Sequence, residues 1–102
     1  MVALPFDDDH APLYTVGQVA GMLDVQPAFL RRLDVERVVQ PARSDGRQRR
    51  YSRHKIALAQ HVSQMAASGM SLAGIRRILE LEAEVAALNA QIATLHSVAA
   101  KE

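Results

Sequence analysis

Apolar residues recur at helical spacing in five stretches of the chain, and between the second and third they gather into a β-branched pair. In "YTVGQVAGMLD", Val16, Val19, Ala20 and Leu23 share one face, and Thr15 stands where an N-cap belongs, which predicts a helix over 16–23. "DVQ" follows as a turn. "PAFLRRLDVER" predicts a second helix with Pro27 in its first turn, where the missing N–H costs nothing. Leu30 and Leu33 form its inner face, so Arg31 and Arg32 point outward. "VVQPARSDGRQRRYS" reads as strand, turn and strand: Val38 and Val39 are β-branched, Pro41 suits an edge, and Asp45–Gly46 is a hairpin tip. So short a two-stranded ribbon needs support from the helices. Ser52 caps a third helix over 53–68, with Leu58, Val62, Met65 and Ala66 on its apolar face and Gly69 as its stop. Met65 and Met70 are expected in or near the core. Ser71 caps a fourth helix, "LAGIRRILE".

The last stretch is the most regular. Ile78, Val85, Ile92 and Ala99 take heptad position a, and Leu81, Leu88 and Leu95 take position d, with neither Gly nor Pro between them. Three heptads of apolar seam predict a coiled-coil dimerisation helix over 78–102. The alternative is a helix folded back on its own domain. At the other end, residues 1–13, with Pro5, Pro12 and the run Asp7 to Asp9, read as a poorly ordered, solvated arm. Residues 14–77 make the domain between them. The architecture expected is mainly α: a winged helix-turn-helix domain followed by a coiled-coil helix.

Charge changes this picture. The net charge is only +1, yet residues 31–55 carry nine bases against Asp34, Glu36 and Asp45, a local net of +6. Five Arg and one Lys fall within "RSDGRQRRYSRHK" alone. Helix, tight turn, helix and basic hairpin together make a winged arrangement. The second helix is placed to enter a DNA major groove by its N-terminal end, and the wing to lie along the backbone, where Arg forks grip phosphate. In the turn, Asp24 stands at a position that often takes φ > 0, a conformation Asp tolerates better than most residues. The candidate DNA-binding residues are Thr15, Gln26, Ala28, Arg31, Arg32, Arg43, Arg47, Arg49, Arg50, Tyr51, Arg53 and His54. Gln26 and Ala28 are base-facing candidates, and Arg53 and His54 lie where a helix N-terminus attracts phosphate. For Tyr51, packing the wing and reaching a phosphate are both open. Arg76 and Arg77 are assigned to dimer or interdomain surface.

The chain has no cysteine, which removes disulfides, thiolate metal sites and thiol redox sensing, and fits a cytoplasmic protein. "MVALPFDDDHAP" lacks the basic and apolar regions of a signal peptide, and no run approaches the length of a membrane span. His10, His54, His61 and His96 are too scattered for a metal site. No paired carboxylates, Gly-rich phosphate loop or Ser/His/Asp set supports an enzyme.

Residues 14 to about 81 resemble the DNA-binding domain of MerR-type transcription regulators, most specifically through "RRYS" before the third helix and "GMSLAGIRRILEL" after it. "SLAGIRRILELEAEV" looks most like the heat-shock repressor (HspR-like) branch. The resemblance implies a homodimer joined by an antiparallel coiled coil, built on Ile78, Leu81, Val85, Leu88, Ile92 and Leu95. It implies a pseudo-palindromic double-stranded DNA site, a promoter that is bent and untwisted, and RNA polymerase as a partner there. Where the family often has "TLRYYE", this chain has "FLRRLD": Arg31 is kept, and Arg32 and Leu33 replace two Tyr. Arg32 is then the substitute for a lost phosphate contact. The seam also conflicts with the family, because β-branched residues at a with Leu at d favour parallel dimers; the attached domains decide for antiparallel. No metal, cofactor or small-molecule pocket is expected, so any signal arrives through abundance, a protein partner or a further region. Two alternatives remain: a protein-binding module of the chaperone-modulator type, disfavoured by the +6 segment, and a nonspecific architectural DNA binder.

Overall fold

The structure, a computed structural model, describes residues 8–101. Seven elements follow one another: β1 (Tyr14–Thr15), α1 (Val16–Leu23), α2 (Pro27–Val35), β2 (Ala42–Arg43), β3 (Arg49–Tyr51), α3 (Arg53–Ala67) and α4 (Leu72–Lys101). Thr15 closes a capping box on α1: its hydroxyl accepts from the Gln18 N–H at 3.1 Å, and the Gln18 side chain accepts from the Thr15 N–H at 2.8 Å. Asp24 ends α1 in the left-handed region, φ 54°, as the turn requires. That sharp reversal sets α2 against α1 through Val19, Ala20, Leu30 and Leu33, all buried.

The β-branched pair is not a strand. Val38 and Val39 lie in the loop after α2, both buried, and their N–H groups donate to the Leu33 carbonyl at 2.8 and 3.2 Å. Donors engaged in closing a helix cannot also serve a ladder. Arg37, φ 58°, takes the left-handed position that makes this closure possible. The first wing strand is therefore only Ala42–Arg43, and the ribbon gains its support from a third strand that periodicity did not reveal. The sheet order is β1-β3-β2, all antiparallel, with Tyr14 opposite Tyr51, Thr15 opposite Arg50, and Arg43 opposite Arg49.

Ser52 caps α3 by accepting from the Lys55 N–H at 3.1 Å. Gly69, φ 94°, stops α3: its N–H reaches the Ala66 carbonyl, and the Met70 N–H reaches that of Met65. Met65 is in the core, but Met70, the residue after that turn, is 45% exposed and not near-core as its type suggested. The core joins Val19, Leu30, Leu33, Val39, Tyr51, Ala59, Val62 and Ile75 from both helix pairs and the sheet.

Two expectations about the ends change. Residues 1–7, with Asp7, lie outside the described residues, but 8–13 are tied down. The Asp9 carbonyl accepts the His54 N–H at 2.9 Å, its carboxylate meets Arg53 at 3.0 Å, and the His10 ring lies 4.8 Å from that of His54. At the other end the fourth helix and the heptad stretch are one helix of 30 residues, about 45 Å long at 1.5 Å per residue. It does not fold back. Leu81, Val85, Leu88, Ile92 and Leu95 remain 42–67% exposed, whereas Ile78 packs partly against the core.

Candidate nucleic-acid interface

The exposed face of α2 and the inner face of the wing meet over an open hollow of about 330 Å³, lined by Thr15, Val16, Arg31, Arg43, Arg47, Gln48, Arg49 and Arg50. Five arginines thus converge from four segments of the chain. Arg31 comes from α2, Arg43 from β2, Arg49 and Arg50 from β3, and Arg47 from the turn between the strands.

One carboxylate holds two of them. Asp34, on the last turn of α2, accepts from Arg43 Nη2 at 2.9 Å and from Arg49 Nε at 2.8 Å. Its side chain is only 11% exposed. Arg43 and Arg49 are directly opposite each other in the sheet, where like charges repel. Asp34 between them turns that repulsion into a clamp holding the wing to α2. The two arginines therefore have a positioning role besides any phosphate contact. Arg43 Nη1 also donates to the Arg47 carbonyl at 3.3 Å, and Arg50 Nη1 to the Arg49 carbonyl at 3.2 Å.

The wing turn is tight. Ser44 N–H donates to the Gln48 carbonyl and Arg47 N–H to the Ser44 carbonyl, each at 2.8 Å. The left-handed residue is Arg47, φ 60°, not Gly46. Arg47 follows the Asp45–Gly46 tip and lines the hollow.

The candidates divide accordingly. Thr15, Arg31, Arg43, Arg47, Arg49 and Arg50 share the hollow. Gln26 and Ala28 are exposed at the start of α2, and the Gln26 side chain makes no capping bond, so its amide is available to a ligand. Arg32 turns away from the hollow, 3.9 Å from Glu36 in an exposed pair. Arg53 and His54 are brought not to the hollow but to the N-terminus of α3, where Asp9 already supplies an anion and an acceptor.

Tyr51 is a correction. Its side chain is 0% exposed, so it packs the wing from beneath and does not reach a phosphate at the surface. Among the described residues its hydroxyl has no hydrogen-bond partner. Burial, and secondarily the Asp34 carboxylate, push its pKa above the ordinary 10.0, opposed by Arg49, Arg43 and Arg31. The phenol therefore stays neutral under the arginine cluster.

Asp34, Gln48 and Asp9 were not among the sequence candidates. Among the described residues, no three His, Cys, Asp or Glu are grouped to hold a metal ion, and no helix is long and apolar enough to cross a membrane.

Known proteins resemble this chain in sequence and in fold. A Streptomyces coelicolor protein named as a heat shock protein HspR is 41% identical over 88 residues, 85% of this chain; the chain spans 58% of that relative's length. The crystal structure of a MerR-family transcriptional regulator from Bacillus cereus superimposes with a TM-score of 0.61 at 21% identity, over 82% of this chain and 67% of that one, which establishes the common fold. Residues 14–82 match the family model for MerR HTH family regulatory proteins, and the chain belongs to that family.

Proposed function

We propose that this DNA-binding regulator acts as a homodimer that seats two winged domains on a pseudo-palindromic promoter site and changes the local bend and twist of the DNA. The arginine-lined hollow between α2 and the wing carries the reading, because it joins a groove-entering helix to a backbone-gripping hairpin through one carboxylate clamp. Five arginines line the hollow, and the Arg fork is the side chain that grips phosphate oxygens. Gln26, Ala28 and Arg31 lie where base edges would be met, and Arg47 and Arg50 where the backbone would pass. The unpartnered apolar stripe of α4 supports pairing with α4 of a second copy, antiparallel so that the two domains sit at opposite ends. RNA polymerase is the partner whose access the distorted promoter would control. Regulation of heat-shock genes is the role suggested by the Streptomyces relative's name.

The test is a genome-fragment binding selection with purified protein at about physiological salt, where purely electrostatic binding is weak. Recovery of a pseudo-palindrome supports the reading. A folded dimer that enriches no sequence supports an architectural binder instead, and one that binds no DNA supports a protein-binding module.

A further inference from the structure

Glu82 sits at the edge of the α4 stripe and is already engaged: its two carboxylate oxygens lie 3.1 and 3.2 Å from His61 Nε2 on α3. We infer that α4 pairs with a second copy in one particular antiparallel register, in which the partner's His96 comes to lie against Glu82 and closes a His–Glu–His cluster joining α3, α4 and the partner helix. This rests on the homodimer proposed above and specifies its geometry.

The register follows from which seam residues are free. Ile78 already packs against its own domain, and exposure begins at Leu81. Antiparallel helices stack position a on position d. Matching the exposed stripe to itself sets Leu81 against the partner's Ala99, Val85 against the partner's Leu95, and Leu88 against the partner's Ile92. No free apolar layer is left over and Ile78 is not required. Flank positions then follow without further choice: Glu82 meets the partner's His96, Asn89 meets the partner's Asn89 beside the dyad, and Gln91 meets the partner's Gln91 on the other side. Shifting by a heptad one way draws Ile78 into the seam and leaves Ala99 without an apolar partner; shifting the other way leaves Leu81 and Val85 without one.

A parallel pair has its own attraction, since it stacks β-branched residues at a and faces Arg77 toward the partner's Glu82. Arg77, however, is already paired within the chain, with Glu80 at 3.2 Å. A parallel pair also needs Ile78 at the interface and brings both winged domains to the same end.

The absence of native cysteine makes the experiment clean. Asn89→Cys and Ala99→Cys are introduced singly into the full chain, oxidised, and run without reductant, with the association state followed by sedimentation and the helix content by circular dichroism. The inferred register predicts that Asn89→Cys cross-links to itself. Ala99→Cys does not, its two copies being about 27 Å apart along the axis, but it cross-links to Leu81→Cys when the two are mixed. His96→Glu weakens the dimer about fivefold, two exposed flanks each losing an attraction and gaining a repulsion, and adding Glu82→Lys restores it. Self-linking of Ala99→Cys overturns the register while leaving the dimer intact. Antiparallel links without an effect of His96→Glu overturn the Glu82–His96 contact. A folded monomer at every concentration refutes the homodimer itself.

Discussion

Replacing Asp34 with Asn isolates the wing clamp. The change keeps shape and one acceptor but removes the charge that holds Arg43 and Arg49. A hydrogen bond to a charged partner contributes about 1.5–3 kcal/mol. The Arg49 contact, with side chains 21% and 11% exposed, belongs in that range. Arg43 is 48% exposed, and solvent screening reduces its share to about 0.5 kcal/mol. Asn recovers one weaker bond, while the two cross-strand arginines, no longer neutralised, repel. The net loss is about 2 kcal/mol, or about 10 °C in Tm for a domain of this size. Thermal unfolding followed by circular dichroism at two salt concentrations measures it, and high salt should shrink the deficit. The same variant separates positioning from charge in DNA binding. It adds one net positive charge, so binding to arbitrary DNA should hold or rise, while preference for the selected site falls because the wing is no longer fixed to α2. A variant that melts within about 2 °C of the parent and keeps its site preference would refute the clamp argument.

Other expectations are independent of this one. Arg47→Gly relieves a left-handed arginine, so it should raise Tm by about 3 °C while lowering the salt dependence of DNA binding by about one ion; melting and a salt titration check both. Tyr51→Phe removes a buried hydroxyl that has no partner among the described residues and should leave neutral-pH stability equal or higher. Because the folded protein holds the Tyr51 proton more tightly than the unfolded chain, the parent should be unaffected below pH 10 and lose stability as pH rises beyond it, a loss absent from the Phe variant in denaturant titrations. Leu88→Glu puts a charge in the middle of the exposed stripe and should give a folded monomer by sedimentation. Arg50→Ala should weaken all DNA sequences alike, whereas Gln26→Ala should change their ranking, as competition binding would reveal.

What could be read in the sequence was local. Asp24 in the left-handed region, the Ser52 cap and the Gly69 stop each depend on a few neighbouring residues, and each was legible from them. The heptad stripe was legible for the same reason. Val38 and Val39 misled because a short buried apolar run looks the same in a strand and in a loop that closes a helix. β1 was invisible because two residues carry no period, and it exists only through Tyr51 and Arg50 on a strand far along the chain. Arg43 and Arg49 showed up as charges; the partner that arranges them did not. Asp34 stands in "FLRRLD" where the family's "TLRYYE" has its acid, and that correspondence was the available signal. Tyr51 was ambiguous because a tyrosine among arginines suits a phosphate seat and a wing core equally well. Only burial decides between them.

The unbroken run of α4 from Leu72 to Lys101 has a consequence for spacing. With no joint between the winged domain and the stripe, the domain's angular phase about the helix axis, relative to the seam of the proposed dimer, is set by residue count alone. One residue inserted after Ile78 would turn each domain by about 100° and move it about 1.5 Å. Seven would nearly restore the phase while lengthening each arm by about 10 Å. In the proposed dimer the helix is thus a ruler as well as a handle: the separation and facing of the two half-sites within its reach would be written in the number of residues between its core and its seam.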